Sequence, residues 1–117
     1  MSFPLGKLLE LSVVKSQDSD GEDRIVMNRV GGVQFFPDHG TVTVHQGDVF
    51  DLTDEDIFLP FAEENGDVEV ALHAVNNGSS FSLGSVFLRA DQAGQGEQER
   101  QFEGAGAIYG LKYTVLP

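Results

Sequence analysis

The sequence predicts an all-β protein, an antiparallel β-sandwich of seven or eight short strands forming a single domain over residues 1–117. Three observations carry this. Apolar residues recur at every second position, turn signals built on glycine separate the runs, and no long segment shows the 3.6-residue period of a helix. With 40% hydrophobic residues among 117 and 14 glycines as punctuation, the chain has material for one core, removing roughly two thirds of its unfolded surface from water.

The elements follow in order. In LLELSVV (residues 8–14) the alternation places Leu9, Leu11 and Val13 on one face, with Glu10 and Ser12 opposite. KSQDSDGEDR (15–24) interrupts it as a loop carrying Asp18, Asp20, Glu22 and Asp23, and IVMN resumes as a second strand. After the GG at 31 and the DHG at 38, TVTVH (41–45) alternates Val42 and Val44 with Thr41, Thr43 and His45. Residues 41–52 read in two ways. One long strand bulged at Gly47 brings the loops at 16–24, 38–40 and 76–80, and so Asp38, Asn76 and Asn77, to the same end. A true hairpin at QGD (46–48) sends the asparagines to the other end.

TDEDIFLPFAEENG (53–66) holds the one helical turn, with Thr53 as its cap, Asp56 at the third position, and Pro60 stopping anything longer. DVEVALHAV (67–75) is a half-buried strand with Val68, Val70, Leu72 and Ala74 on one face. DQAGQGEQER (91–100) reads as a mobile loop. YGLKYTVLP (109–117) closes the chain with Tyr109, Leu111, Tyr113 and Val115 together.

Nineteen acids against seven bases give a formal charge of -12. Such a field repels phosphate backbones and anionic headgroups, so nucleic acid is excluded as a partner and membrane docking is disfavoured. The same charge attracts cations or a basic protein, and also keeps a protein soluble. With no cysteine, disulfides, thiolate metal sites and cysteine nucleophiles are excluded. The opening MSFPLGKLLELSVV has no basic leader and too short an apolar run for a signal peptide, which implies synthesis in the cytoplasm and leaves a non-classical export route open. His39, His45 and His73 stand in no ligand spacing, and the serines lack a nucleophile elbow. The reading is therefore non-enzymatic.

The acidic loop admits two readings. A hard cation needs six to eight oxygens at about 2.3 to 2.6 Å, more than one short loop supplies, so a second loop must contribute. Alternatively, Asp18 and Asp20 cap a turn through backbone N–H groups while Glu22 and Asp23 are merely solvated. Of Phe35, Phe36, Phe58 and Phe61, not all can point inward, because adjacent strand residues face opposite ways. An exposed ring near a loop rim suits a protein or lipid contact, unless a second layer or loop covers it.

LELSVVKSQDSDGEDRIVMN (9–28), FLPF (58–61), LGS (83–85) and GAGAIYGLKYTV (104–115) together resemble small bacterial proteins with a C2-like β-sandwich. That resemblance implies calcium as cofactor, held by carboxylates from loops at one end, with Asp18, Asp20, Glu22 and Asp23 matching the first acidic loop. The second loop departs from the pattern: NNGSS stands where acids are expected, leaving Asn76 and Asn77 to offer neutral carbonyls. Two functions follow. The first is a non-catalytic binding module, calcium-assisted through the acidic loop. The second is a structural or assembly subunit of a capsid, filament or secretion particle, with a protein partner or self-assembly in either case.

Overall fold

A computed structural model describes residues 3–37, 39–62, 66–76 and 78–117. Among these described residues ten strands form rather than seven or eight: β1 Leu5–Lys15, β2 Glu22–Arg29, β3 Gln34–Phe36, β4 Val42–His45, β5 Val49–Asp51, β6 Phe58–Pro60, β7 Asp67–Asn76, β8 Ser79–Arg89, β9 Glu97–Gly104 and β10 Ala107–Leu116. The extra count comes from three-residue edge strands, too short to show a period.

All pairings between the strands are antiparallel and make two five-stranded sheets. One runs β5-β1-β10-β9 with β6 also on β1; the other runs β3-β2-β7-β8 with β4 also on β2. Their inner faces share one core, in which Leu8, Leu11, Ile25, Met27, Leu72, Phe102, Leu111 and Tyr113 are wholly excluded from solvent. Both clear alternations hold. Val68, Val70, Leu72 and Ala74 are buried from β7, and Tyr109, Leu111, Tyr113 and Val115 from β10.

β1 departs from simple alternation. Leu8 pairs with Tyr113 and Glu10 with Lys112, leaving Leu9 as an extra residue. This bulge turns Leu8, not Leu9, into the core alongside Leu11 and Val13. A second correction concerns residues 91–100: Ala90–Gln92 is a 3-10 turn, and Glu97 onward pairs with β10 as strand β9. Its solvated acids and glutamines hide the period, because an edge strand buries only Phe102 on its inner side.

Neither reading of residues 41–52 describes the chain. QGD is a turn, with the Asp48 N–H donating to the His45 carbonyl at 2.9 Å. It does not join a hairpin, since β4 pairs with β2 while β5 crosses to the other sheet and pairs with β1. Nor do β3 and β4 run in opposite directions, since both pair antiparallel with β2. One reversal is lost and one gained. The two departures cancel, and Asn76 finishes at the same end as the acidic loop.

The far edges of the two sheets meet where β8 passes β9. A Cβ at Gly84 would stand 2.8 Å from the Glu103 carbonyl oxygen, and one at Gly104 would stand 2.8 Å from the Leu83 carbonyl carbon. Gly84 also has φ +98, a region costly for any residue with a side chain. Gly84→Ala therefore combines strain with a backbone clash and should destabilise by about 3 kcal/mol. Gly106→Ala, at φ +82 in open space, carries the strain alone and should lose about 1 kcal/mol. Urea midpoints at unchanged slope measure both, and equal losses would show that the seam is loose.

Candidate functional site at the acidic end

The β1–β2 loop, the 45–48 turn, the β7–β8 turn and the β9–β10 turn gather at one end of the sandwich. What organises that end is Asp23. It follows the parity of Ile25 and Met27 along β2, so its side chain enters the core and is fully buried. Both carboxylate oxygens are fully engaged. Oδ1 accepts from the Asp18 N–H at 2.9 Å and the Asn76 amide at 3.0 Å; Oδ2 accepts from the Gln17 N–H at 2.7 Å and the Tyr109 hydroxyl at 2.5 Å. Four donors match the roughly four lone-pair sites of an ionised carboxylate.

This arrangement ties together three things that would otherwise be independent. Gln17 and Asp18 belong to the loop, Asn76 ends β7 in one sheet, and Tyr109 comes from β10 in the other. Asn76 extends the tie, accepting from the Arg24 N–H at 3.1 Å and donating to the Gln17 side-chain carbonyl at 2.7 Å. Burial alone would raise the carboxyl pKa of Asp23, but the hydrogen bonds from Tyr109, Gln17, Asp18 and Asn76 outweigh it and hold the group below its ordinary value of 3.8. Burial and the adjacent carboxylate push the Tyr109 phenol up, so it remains a donor.

Above this floor the loop is a staircase of Asx turns. Asp18 Oδ1 accepts from the Asp20 N–H at 3.3 Å, and Asp20 Oδ1 accepts from the Glu22 N–H at 2.9 Å. Glu22 also meets the His45 ring across the strand pair at 3.1 Å, and His45 in turn lies 3.5 Å from Asp48. The loop is buttressed from the side as well: the Gln46 N–H donates to the Gly21 carbonyl at 2.8 Å, and the Gln46 side-chain oxygen accepts from the Ser16 N–H at 3.3 Å.

Asp18, Asp20, Glu22, Asp23 and Asn76 all line one hollow of about 70 Å³, joined by Arg24. Thus the end brings together five of the six residues singled out from the sequence; Asn77, like Asp38, lies outside the described residues. The five do not share a role. Asp23 and Asn76 are buried framework, whereas Asp20 and Glu22 are exposed. Among the described residues, no group of three histidines or acids converges as a metal ligand set.

Sequence reasoning missed Tyr109, Gln17 and Gln46. One signal was available: a tyrosine on a core face needs a buried acceptor, and Asp23 has the inward parity to be it. The acids at 51–56 also differ from the expected cap. Asp51, not Thr53, is the acceptor, taking the Thr53 N–H at 2.9 Å and its hydroxyl at 2.6 Å, and these bonds hold its carboxyl below the usual range.

No family profile matches the chain, and neither does any curated protein sequence. Among solved structures it is similar in fold to a C2 domain at 10% identity, with both chains covered in full and a TM-score of 0.49. It is also similar to a C2 domain of a plant Extended Synaptotagmin 1 at 6% identity, covering 99% of this chain and 95% of that one, with a TM-score of 0.47.

Asp23→Asn keeps the shape but turns an NH2 toward donors, and it should lose about 3 kcal/mol in chemical denaturation. The pH response identifies the cause. Because the folded-state pKa of Asp23 is lowered, its contribution is complete above the unfolded value and declines as pH falls below about 4 through the folded value. The gap between wild type and variant should therefore narrow below pH 4. A gap that stays constant down to pH 2 would deny that the charged form supplies the stability.

Proposed function

We propose that this chain is a non-catalytic interaction module that presents a preorganised anionic end to a cationic partner. The observation supporting this reading is the division of labour in the acidic loop. One buried carboxylate fixes the loop to both sheets, so the exposed carboxylates of Asp20 and Glu22 are held in place before anything binds. Ordering them in advance removes an entropy cost that a mobile loop would meet at binding.

Calcium is the ion whose chemistry suits these donors, since all are hard oxygens. The fit is by type and not by number. Asp23 and Asn76 are occupied by the framework and the Asp18 carboxylate by the Asp20 N–H, so the exposed carboxylates of Asp20 and Glu22 would face an ion whose remaining positions fall to water. Two exposed carboxylates without a second acidic loop imply a dissociation constant no tighter than on the order of 1 mM. At 10 mM calcium, such binding adds roughly 1.4 kcal/mol, or about 5 °C in melting temperature. Asp20→Asn combined with Glu22→Gln should remove the shift. Identical melting in calcium and in chelator would reject the ion and leave a basic protein as the partner.

A second copy is the competing partner, favoured by Val14 and Val49, 52% and 63% exposed on the neighbouring strands β1 and β5. Light scattering separates the two. A mass that stays monomeric up to millimolar protein supports a heterologous partner, and a concentration-dependent dimer supports assembly.

A further inference from the structure

The outer face of the sheet that contains β1 carries an order of its own. Leu8, Leu11 and Val13 of β1 turn to the core, as do Tyr109, Leu111, Tyr113 and Val115 of β10, so the residues paired between them stand outward. Along the two strands Leu5 stands beside Leu116, Lys7 beside Thr114, Glu10 beside Lys112, and Ser12 beside Gly110. On the other flank of β1, Phe58 stands beside Lys7 and Val49 beside Ser12. The face is thus apolar towards both ends and charged across its middle. Val14, Val49, Phe58 and Leu116, half of the eight large hydrophobics exposed among the described residues, belong to it.

Charge sets this face apart. Across β5, β6, β10 and β1 from Leu5 to Val14, the outward charges are Lys7 and Lys112 against Glu10 and Asp51, a neutral strip within a chain of formal charge -12. Two copies of so acidic a protein repel each other least here. A basic partner, by contrast, gains nothing from a neutral strip. By strand geometry the strip is about 35 Å long and about 14 Å wide, so two copies facing each other bury roughly 1,000 Å² between them, the lower bound for a specific interface. The contact is therefore sufficient but weak.

We propose that this face pairs two copies of the chain about a twofold axis, which runs along the strands above the line between β1 and β10. A half-turn about that axis lays β1 of each copy over β10 of the other, row upon row. Glu10 and Lys112, side by side at 3.8 Å within one chain, exchange places under the rotation, so Glu10 meets Lys112 of the partner subunit and Lys112 meets Glu10 of the partner subunit. Leu5 and Leu116 exchange in the same way, apolar upon apolar. A surface that matches itself is what an isologous dimer requires. Stacked sheets stand about 10 Å apart, a gap that facing glutamate and lysine side chains bridge. The inference goes beyond the anionic-end reading, because the acidic loop lies at the tip of the sandwich and stays open in the pair.

The test is sedimentation of the full chain from micromolar to millimolar concentration, in chelator at fixed ionic strength. The wild type should pass from monomer to dimer across that range. Glu10→Lys and Lys112→Glu should each weaken the dimer about tenfold or more, since each sets like charges against one another twice. The first variant lowers the net negative charge and the second raises it, so diffuse repulsion alone would move the two in opposite directions. Mixed in equal amounts, the two should recover the dimer, because each supplies the charge that the other lacks. Leu116→Glu, at an exposed position, should abolish pairing and tests the face independently of the charged row. A wild type that stays monomeric at millimolar concentration would overturn the pair and leave the anionic end intact, which the calcium-dependent melting shift tests separately. A dimer indifferent to Leu116→Glu and to both charge changes would place the contact elsewhere and overturn this face. Folded charge variants that remain monomeric when mixed would overturn the twofold pairing of β1 on β10.

Discussion

The acidic end depends on an anion kept in the core without a countercharge. Among the described residues no lysine or arginine is paired with Asp23; neutral donors hold it, two from the loop backbone and one from each sheet. Such an arrangement succeeds only when every lone pair is met, because a bare buried carboxylate is among the costliest groups a protein can contain. That demand makes the network all-or-none. Moving the loop, separating the sheets at this end or rotating Tyr109 each leaves the same charge unsatisfied, so the three move together or not at all.

In the proposed reading, stability and recognition fall to different acids of one short stretch. Asp23 has almost no contact with water and acts inward. Asp20 and Glu22 act outward, and their backbone N–H groups are turned into the staircase by the carboxylates of the acids two residues before them. The clustering that raises the question of purpose in the sequence thus has two causes. Composition treats the acids as equivalent, but strand parity does not.

Parity is also what separates the legible part of the structure from the rest. β7 and β10, central strands with one face in the core, are readable residue by residue, because burial imposes the period directly. β9 is not, since an edge strand with one buried side chain carries little hydrophobic signal. Leu9 leaves the face its alternation predicts because a bulge shifts phase without altering composition. The joining of the acidic loop to Asn76 follows from a strand count whose two errors offset each other. The inward role of Asp23 is legible in its spacing to Ile25 and Met27; the contribution of Gln17 and Gln46 is not, since polar loop residues bear no mark of what they will touch.

The seam of Gly84 and Gly104 has one further consequence. β8 runs from Ser79 to Phe87 without a charged residue, the kind of border onto which a stray strand from another molecule can zip. Because β9 is pressed against its middle, with no side chain between them, that border is shut by the chain's own backbone. The two small residues thus let the backbone of β9 cover the middle of that border, a cover that charge on β8 itself does not provide.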